Sequence, residues 1–152
     1  MIVQLANDSR QEFPFRKLVH AWLNEPYRYP VSIPSRLLAV ARSGADADSV
    51  KRLYHRLTHD AVARPADFVV SEAGLISVGQ VLLKEGARST VGLAVLELAV
   101  ERSPGSYRAR EALAAGYEKV GKTDRAMAEY REALRLSPQL AKISASKLER
   151  RR

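Results

Sequence analysis

Two histidines, His55 and His59, stand four residues apart, and on a helix their rings would face the same way. That geometry can hold a divalent metal when further ligands join it. The further ligands are missing from the sequence. There is no cysteine, the third histidine is the distant His20, and Asp60 points about 100° away from His59 on a helix. As general bases the pair fares no better, because no nucleophile accompanies them. Gly74-Leu-Ile-Ser-Val-Gly79 lacks the spacing of a nucleophile elbow, and its glycines are better explained by helix packing. No glycine-rich phosphate loop is present. The sequence therefore predicts no catalytic residue, no metal site and no cofactor.

Charge is the other candidate for chemistry. Twenty-five Lys and Arg oppose 17 Asp and Glu, a formal +8 in 152 residues. Such an excess suits a nucleic acid or an anionic surface only where it is concentrated. Half of it lies in the last fourteen residues, where Lys142, Lys147, Arg150, Arg151 and Arg152 face Glu149 alone. The remainder of the chain is close to balanced and pairs no aromatic platform with basic residues. A sequence-independent phosphate contact through the tail is thus the weaker expectation, and nucleic acid is not the expected partner. No apolar run approaches the roughly 20 residues of a membrane span. The opening Met1-Ile-Val-Gln-Leu-Ala6 turns polar too early for a signal peptide, so the expectation is a cytoplasmic chain.

The elements that would position any site come from an internal repeat. Ser103-Pro104 and Ser137-Pro138 lie 34 residues apart. Between them, Leu113, Ala114 and Tyr117 precede a break at Gly121, and Ala126, Tyr130 and Ala133 follow it at helical spacing. The small residues let two antiparallel helices approach, and the tyrosines fill the space beside them. Gly121 can end the first helix in a left-handed conformation, Thr123 and Asp124 are suited to cap the second, and Pro138 stops it. This pattern resembles the tetratricopeptide repeat. Residues 72–106 repeat it with Leu75, Val78, Gly79 and Leu82, a Gly86 break, Ser89 or Thr90 as cap, and Gly92, Leu96 and Ala99 before Pro104. Residues 35–71 read as a degenerate hairpin broken at Gly44, with Asp46 or Asp48 capping its second helix. Leu140, Ile143 and Leu148 sketch a basic helix over 139–152 that covers the last unit.

The expected fold is all-α: antiparallel helical hairpins stacked as a short right-handed solenoid of the tetratricopeptide type, closed by a C-terminal capping helix. Stacked hairpins expose a concave face lined by the first helix of each unit. The lining positions are Ala73, Ile76, Ser77, Gln80, Leu83 and Lys84 in one unit, and Arg108, Glu111, Ala112, Ala115, Glu118 and Lys119 in the next. Repeats of this type that grip a terminal carboxylate use Asn where Gln80 and Ala115 stand here, which argues against such a clamp. The expected function is a non-catalytic protein-interaction or domain-docking module. Its partner is a protein or peptide, or its own N-terminal segment.

Residues 1–34 read differently. Ile2, Val3 and Leu5 suit a short strand with no partner strand elsewhere in the chain, one that another copy could pair with to make an oligomer. Phe15, Leu18, Val19, Trp22 and Leu23 give a helical stripe, and Glu25 to Pro34 holds three prolines and runs extended. With the hairpin and repeats that follow, this order resembles the C-terminal end of bacterial serine β-lactamase-like hydrolases that bear such repeats. The resemblance implies an accessory segment that docks on a hydrolase domain, extracytoplasmic if the larger enzyme is exported. It implies no activity here. Ser144-Ala-Ser-Lys147 matches the family's Ser-x-x-Lys string, but no Tyr-x-Asn exists and the only Lys-Thr, Lys122-Thr123, continues to Asp124 rather than Gly.

Overall fold

The computed structural model describes residues 30–138. Among these the fold is all-α apart from one tiny pair of parallel strands. Three hairpins follow one another: α1 (Ile33–Arg42) with α2 (Ala47–Ala63), α3 (Glu72–Lys84) with α4 (Ser89–Arg102), and α5 (Tyr107–Lys119) with α6 (Thr123–Leu136). Each turn between the paired helices is only three or four residues long, which returns the chain antiparallel. Gly44, Gly86 and Gly121 make this possible by taking positive φ values of 100°, 64° and 75°.

The first helix of every hairpin starts in the same way. Ser32, Ser71 and Ser106 are extended N-caps whose hydroxyl oxygens accept from the backbone N–H three residues on. Asp46, not Asp48, caps α2. At α4 and α6 the expected caps fail: Arg88 and Lys122 hold the cap positions without a side-chain bond, and Ser89 and Thr123 are already the first helical residues. The left-handed glycine turns the chain so tightly that the helix begins one residue before the hydroxyls could serve it. The first helix also begins earlier than the reading of 1–34 as a separate segment allowed, since Ile33 is fully buried and Pro34 sits in the first turn.

Strand β1 (Val31–Ser32) pairs in parallel with β2 (Phe68–Val69), Val31 opposite Phe68 and Ser32 opposite Val69. Each strand feeds the first helix of its hairpin, so the two run in the same direction. Pro65 ends the connection from α2 with a 3₁₀ turn, Pro65–Asp67, which delivers Phe68 and Val70 to the core. Two-residue strands leave almost no signal in sequence. The expected strand at 2–5, the helical stripe at 15–23 and the capping helix at 139–152 lie outside the described residues.

The hairpins stack differently at the two junctions. At the first, α1 lies on α3 and α2 on α4, enclosing Leu37, Val50, Tyr54, Leu75, Leu82, Val95 and Leu98. At the second, α5 nests against both α3 and α4, enclosing Leu83, Leu93, Leu96, Leu113, Tyr117 and Tyr130. Helix α4 is therefore covered on nearly all sides, as the apolar run from Val91 to Val100 requires. Where α4 presents Val91, Val95 and Leu98, α6 has Arg125, Glu129 and Glu132 thirty-four residues later. Charged side chains cannot repeat an apolar seam, and α6 is held chiefly by α5.

Two glycines bring α3 and α4 into backbone contact. A Cβ at Gly92 would lie 2.9 Å from both the Gly79 carbonyl oxygen and the Leu83 amide nitrogen, and one at Gly79 would lie 2.6 Å from Leu96. Gly116 admits α5 by the same device, its missing Cβ leaving room for Leu96 and Leu93. Small residues receive large ones at each of these contacts.

Candidate functional site

The N-terminal ends of α1, α3 and α5 gather at one end of the stack. Pro34 in the first turn of α1 touches Gly74 in that of α3, and the cap hydroxyl of Ser106 donates to Glu72 Oε1 at 2.6 Å. Helices α3 and α5 thus run side by side in phase, and the same heptad positions recur 35 residues apart. Between them lies an open groove of about 440 Å³, lined by Ala73, Ile76, Ser77 and Gln80 from α3 and Arg108, Glu111, Ala112 and Ala115 from α5. Ile76 and Ala112 form its floor, half-buried and buried. Ser77, Gln80, Arg108 and Ala115 are exposed at its sides.

Eight of the twelve positions read from sequence meet in this groove, and four do not. Leu83 is only 4% exposed and packs inward against Gly92 and Gly116. The reason is helical phase: position 83 falls about 80° behind the stripe through 73, 77, 80 and 84, toward the neighbouring hairpin. Glu118 has the same phase on α5 and turns to α6, where its Oε2 accepts from the Tyr130 hydroxyl at 2.9 Å. Lys84 and Lys119 keep the right phase but lie a turn beyond the groove, exposed at the helix C-termini, where a cation favours the helix dipole.

Arg108 is the groove's fixed cation. Its Nε donates to the Tyr107 hydroxyl at 3.1 Å, and its guanidinium carbon lies 5.8 Å from the centre of that ring. The tyrosine's hydrogen bond and polarity raise the arginine's pKa further, so it stays charged at any accessible pH. Ser77, the groove's hydroxyl, has no base within hydrogen-bond reach among the described residues. The chemistry on offer is a small apolar floor, the neutral groups of Ser77 and Gln80, the Glu111 carboxylate and the Arg108 guanidinium.

The histidines do not form a centre. His55 Nδ1 lies 3.7 Å from Glu101 Oε1 and His59 Nδ1 4.0 Å from Asp60 Oδ1, both rings exposed on α2. Among the described residues no group of three or more His, Cys, Asp or Glu could hold a metal ion, and no helix is long and apolar enough to cross a membrane.

Two polar clusters escaped the sequence reading, and both are structural. Glu97 on α4 accepts from Lys51 Nζ on α2 and, at 3.0 Å, from the Tyr117 hydroxyl on α5, so one carboxylate ties all three hairpins. Burial pushes that carboxyl up, but the bonds from Lys51 and Tyr117 outweigh burial and hold it below the ordinary glutamate range. Burial, then the hydrogen bond and charge of Glu97, raise the Tyr117 hydroxyl in turn. The signal was a lone charge, Glu97, in the otherwise apolar run from Val91 to Val100. Arg88 closes the end of α1: its Nε and Nη2 donate to the carbonyls of Ala41 and Arg42 at 3.2 and 3.1 Å. Glu85 pairs with both Arg88 and Arg42, at 3.2 and 2.6 Å. Nothing in the sequence singles out the contacts of Arg88 and Glu85 with α1, made across more than forty residues.

No protein-family model, no curated protein and no solved structure matches this chain.

Proposed function

We propose that the chain is a non-catalytic interaction module of the tetratricopeptide type, which docks a protein segment in the groove between α3 and α5. The observation that supports this most directly is the floor: small and apolar side chains from two in-phase helices, flanked by Ser77, Gln80 and Arg108. Such a surface excludes water from an incoming side chain while the rim keeps register through polar contacts. Among the described residues the groove's hydroxyl has no base within hydrogen-bond reach, and its cation is engaged with a tyrosine, so its groups are suited to recognition rather than bond cleavage.

A photo-crosslinker placed at Ala115 tests the reading, with a control at Arg131 on α6. A partner that crosslinks from position 115 and not from 131, and whose purified form binds at least tenfold more weakly to the Ser77→Arg variant, supports the groove. Equal capture from both positions, or unchanged binding by Ser77→Arg, sinks it.

A further inference from the structure

We propose that the segment docked in this groove is an extended, acid-flanked peptide: two carboxylate side chains about six residues apart, with apolar side chains and no acidic group between them. The inference rests on the groove being a docking site and adds the chemistry of the partner.

The placement of cations on this face carries it. Eleven residues return a helix to within about 20° of its starting direction, so Arg108 and Lys119 share one stripe of α5, and Ala73 and Lys84 share one of α3. Arg108 therefore stands at one end of the groove and Lys84 and Lys119 beyond the other, about 16.5 Å away along the helix axis. Both lysines are exposed, and neither makes an ion pair or a side-chain hydrogen bond among the described residues. Arg108 donates only through Nε, to the Tyr107 hydroxyl, among those same residues. Its two terminal nitrogens form the fork that takes a carboxylate bidentately.

The acidic groups nearby leave both ends positive and the middle not. Glu72 accepts from the Ser106 hydroxyl at 2.6 Å and favours the Arg108 charge from beyond ion-pair distance. Glu118 turns to α6 and accepts from the Tyr130 hydroxyl. Glu111 lines the groove itself, between the cations, and repels a carboxylate set at the centre. A nucleic-acid strand, charged at every nucleotide, must lay phosphates beside Glu111 and over Ile76 and Ala112. A peptide can keep its charges at the two ends. When it is extended, alternate side chains point the same way: the first and seventh stand about 20 Å apart, and the third and fifth meet the apolar floor. The flexible lysine stems take up the difference from the helical interval.

Fluorescence anisotropy of the full chain with three labelled heptapeptide pools tests this. Each pool reads X-Ser-Φ-Ser-Φ-Ser-X with an amidated C-terminus, where Φ is Ala, Val or Leu and the two X residues are both Glu, both Gln or both Lys. The Glu pool should bind about tenfold more tightly than the Gln pool, the sum expected of a few exposed ion pairs, and the Lys pool more weakly than either. Salt should shrink the difference. Arg108→Gln, and Lys84→Gln combined with Lys119→Gln, should each remove about threefold of it, and Arg131→Gln on α6 none. All four positions are exposed, so the helical circular dichroism should stay unchanged. Equal affinity for the Glu and Gln pools, a Glu preference that survives these substitutions, or no binding by any pool overturns the proposal. A ten-residue oligothymidylate that displaces the Glu pool at lower concentration than unlabelled peptide assigns the cations to nucleic acid and overturns it equally. If the Glu and Gln pools bind alike and Ser77→Arg weakens both tenfold, the docking groove stands and its charge preference alone fails. If Ser77→Arg alters the affinity of no pool that binds, the groove reading fails as well.

Discussion

Replacing Gly92 with alanine sets a local preference against a tertiary contact of known geometry. In the interior of an exposed helix the change stabilises by about 1 kcal/mol, because glycine carries the larger entropy loss. At Gly92 the new methyl would lie 2.9 Å from the Gly79 carbonyl oxygen and from the Leu83 nitrogen, and 3.1 Å from Leu83 Cγ. Two of those atoms are backbone and cannot rotate aside, so α3 and α4 must separate by several tenths of an ångström. Overpacking of this kind costs about 1–3 kcal/mol, and more where no side chain can yield. The expected net effect is a loss of about 1–2 kcal/mol, taking the upper part of that range against the propensity gain. Gly105 is the control, since nothing lies within 4 Å of its added Cβ and its φ is not positive. Gly105→Ala should be neutral or stabilise by up to about 1 kcal/mol. Urea denaturation followed by circular dichroism measures both, with equal m-values as the condition for comparison. A Gly92→Ala protein as stable as the wild type would refute the close backbone approach on which the second hairpin is built.

Other substitutions separate the polar clusters from the apolar core. Glu97→Gln should flatten the acid limb of stability. Its folded carboxyl titrates below the unfolded one, so its contribution is present above the unfolded value of about 4.3 and disappears as pH falls through the folded one. Urea midpoints from pH 3 to 7 check this, and a wild-type acid limb retained in the variant would exclude Glu97 as its source. Arg88→Ala should cost about 1–2 kcal/mol by uncovering two helix-terminal carbonyls, and Arg88→Lys should not restore it, since one ammonium cannot reproduce the planar fork. Faster amide exchange at Ser43 and Gly44 would locate the effect, because their N–H groups close the last turn of α1. Ser77→Arg should leave thermal stability within about 0.5 kcal/mol, as expected for an exposed position that makes no side-chain hydrogen bond among the described residues. A large loss there would place Ser77 in the core and remove the groove.

How far the site was legible can be followed residue by residue. The stripe through Ala73, Ile76, Ser77 and Gln80 and its counterpart 35 residues later follow from helical period once the first helix of each unit is taken to line a concave face, and these eight side chains line one groove. Leu83 was misplaced because period gives the angle of a residue about its own helix and not the position of the next hairpin, which claims that angle. Lys84 and Lys119 failed for want of depth: a stripe has no end until the neighbouring helix defines how far the cleft runs. Capping was legible at Asp46, which stands as one of the two candidates before α2, whereas the serine caps Ser32, Ser71 and Ser106 were not singled out by the sequence. It was not legible at Thr123, where the tightness of the glycine turn decided which residue came first.

The linear chain by itself determined the class of fold and the location of its breaks. Apolar periodicity makes helices, and only Gly44, Gly86 and Gly121 could take the left-handed turns between them. Tertiary structure alone decided how the hairpins meet. Stacking joins residues far apart in sequence, such as Lys51, Glu97 and Tyr117, and local pattern contains no distances between helices. The groove exists because α3 and α5 stand side by side with their lining residues in phase. That spacing is set by the glycines on the opposite side, which draw α4 in toward both helices.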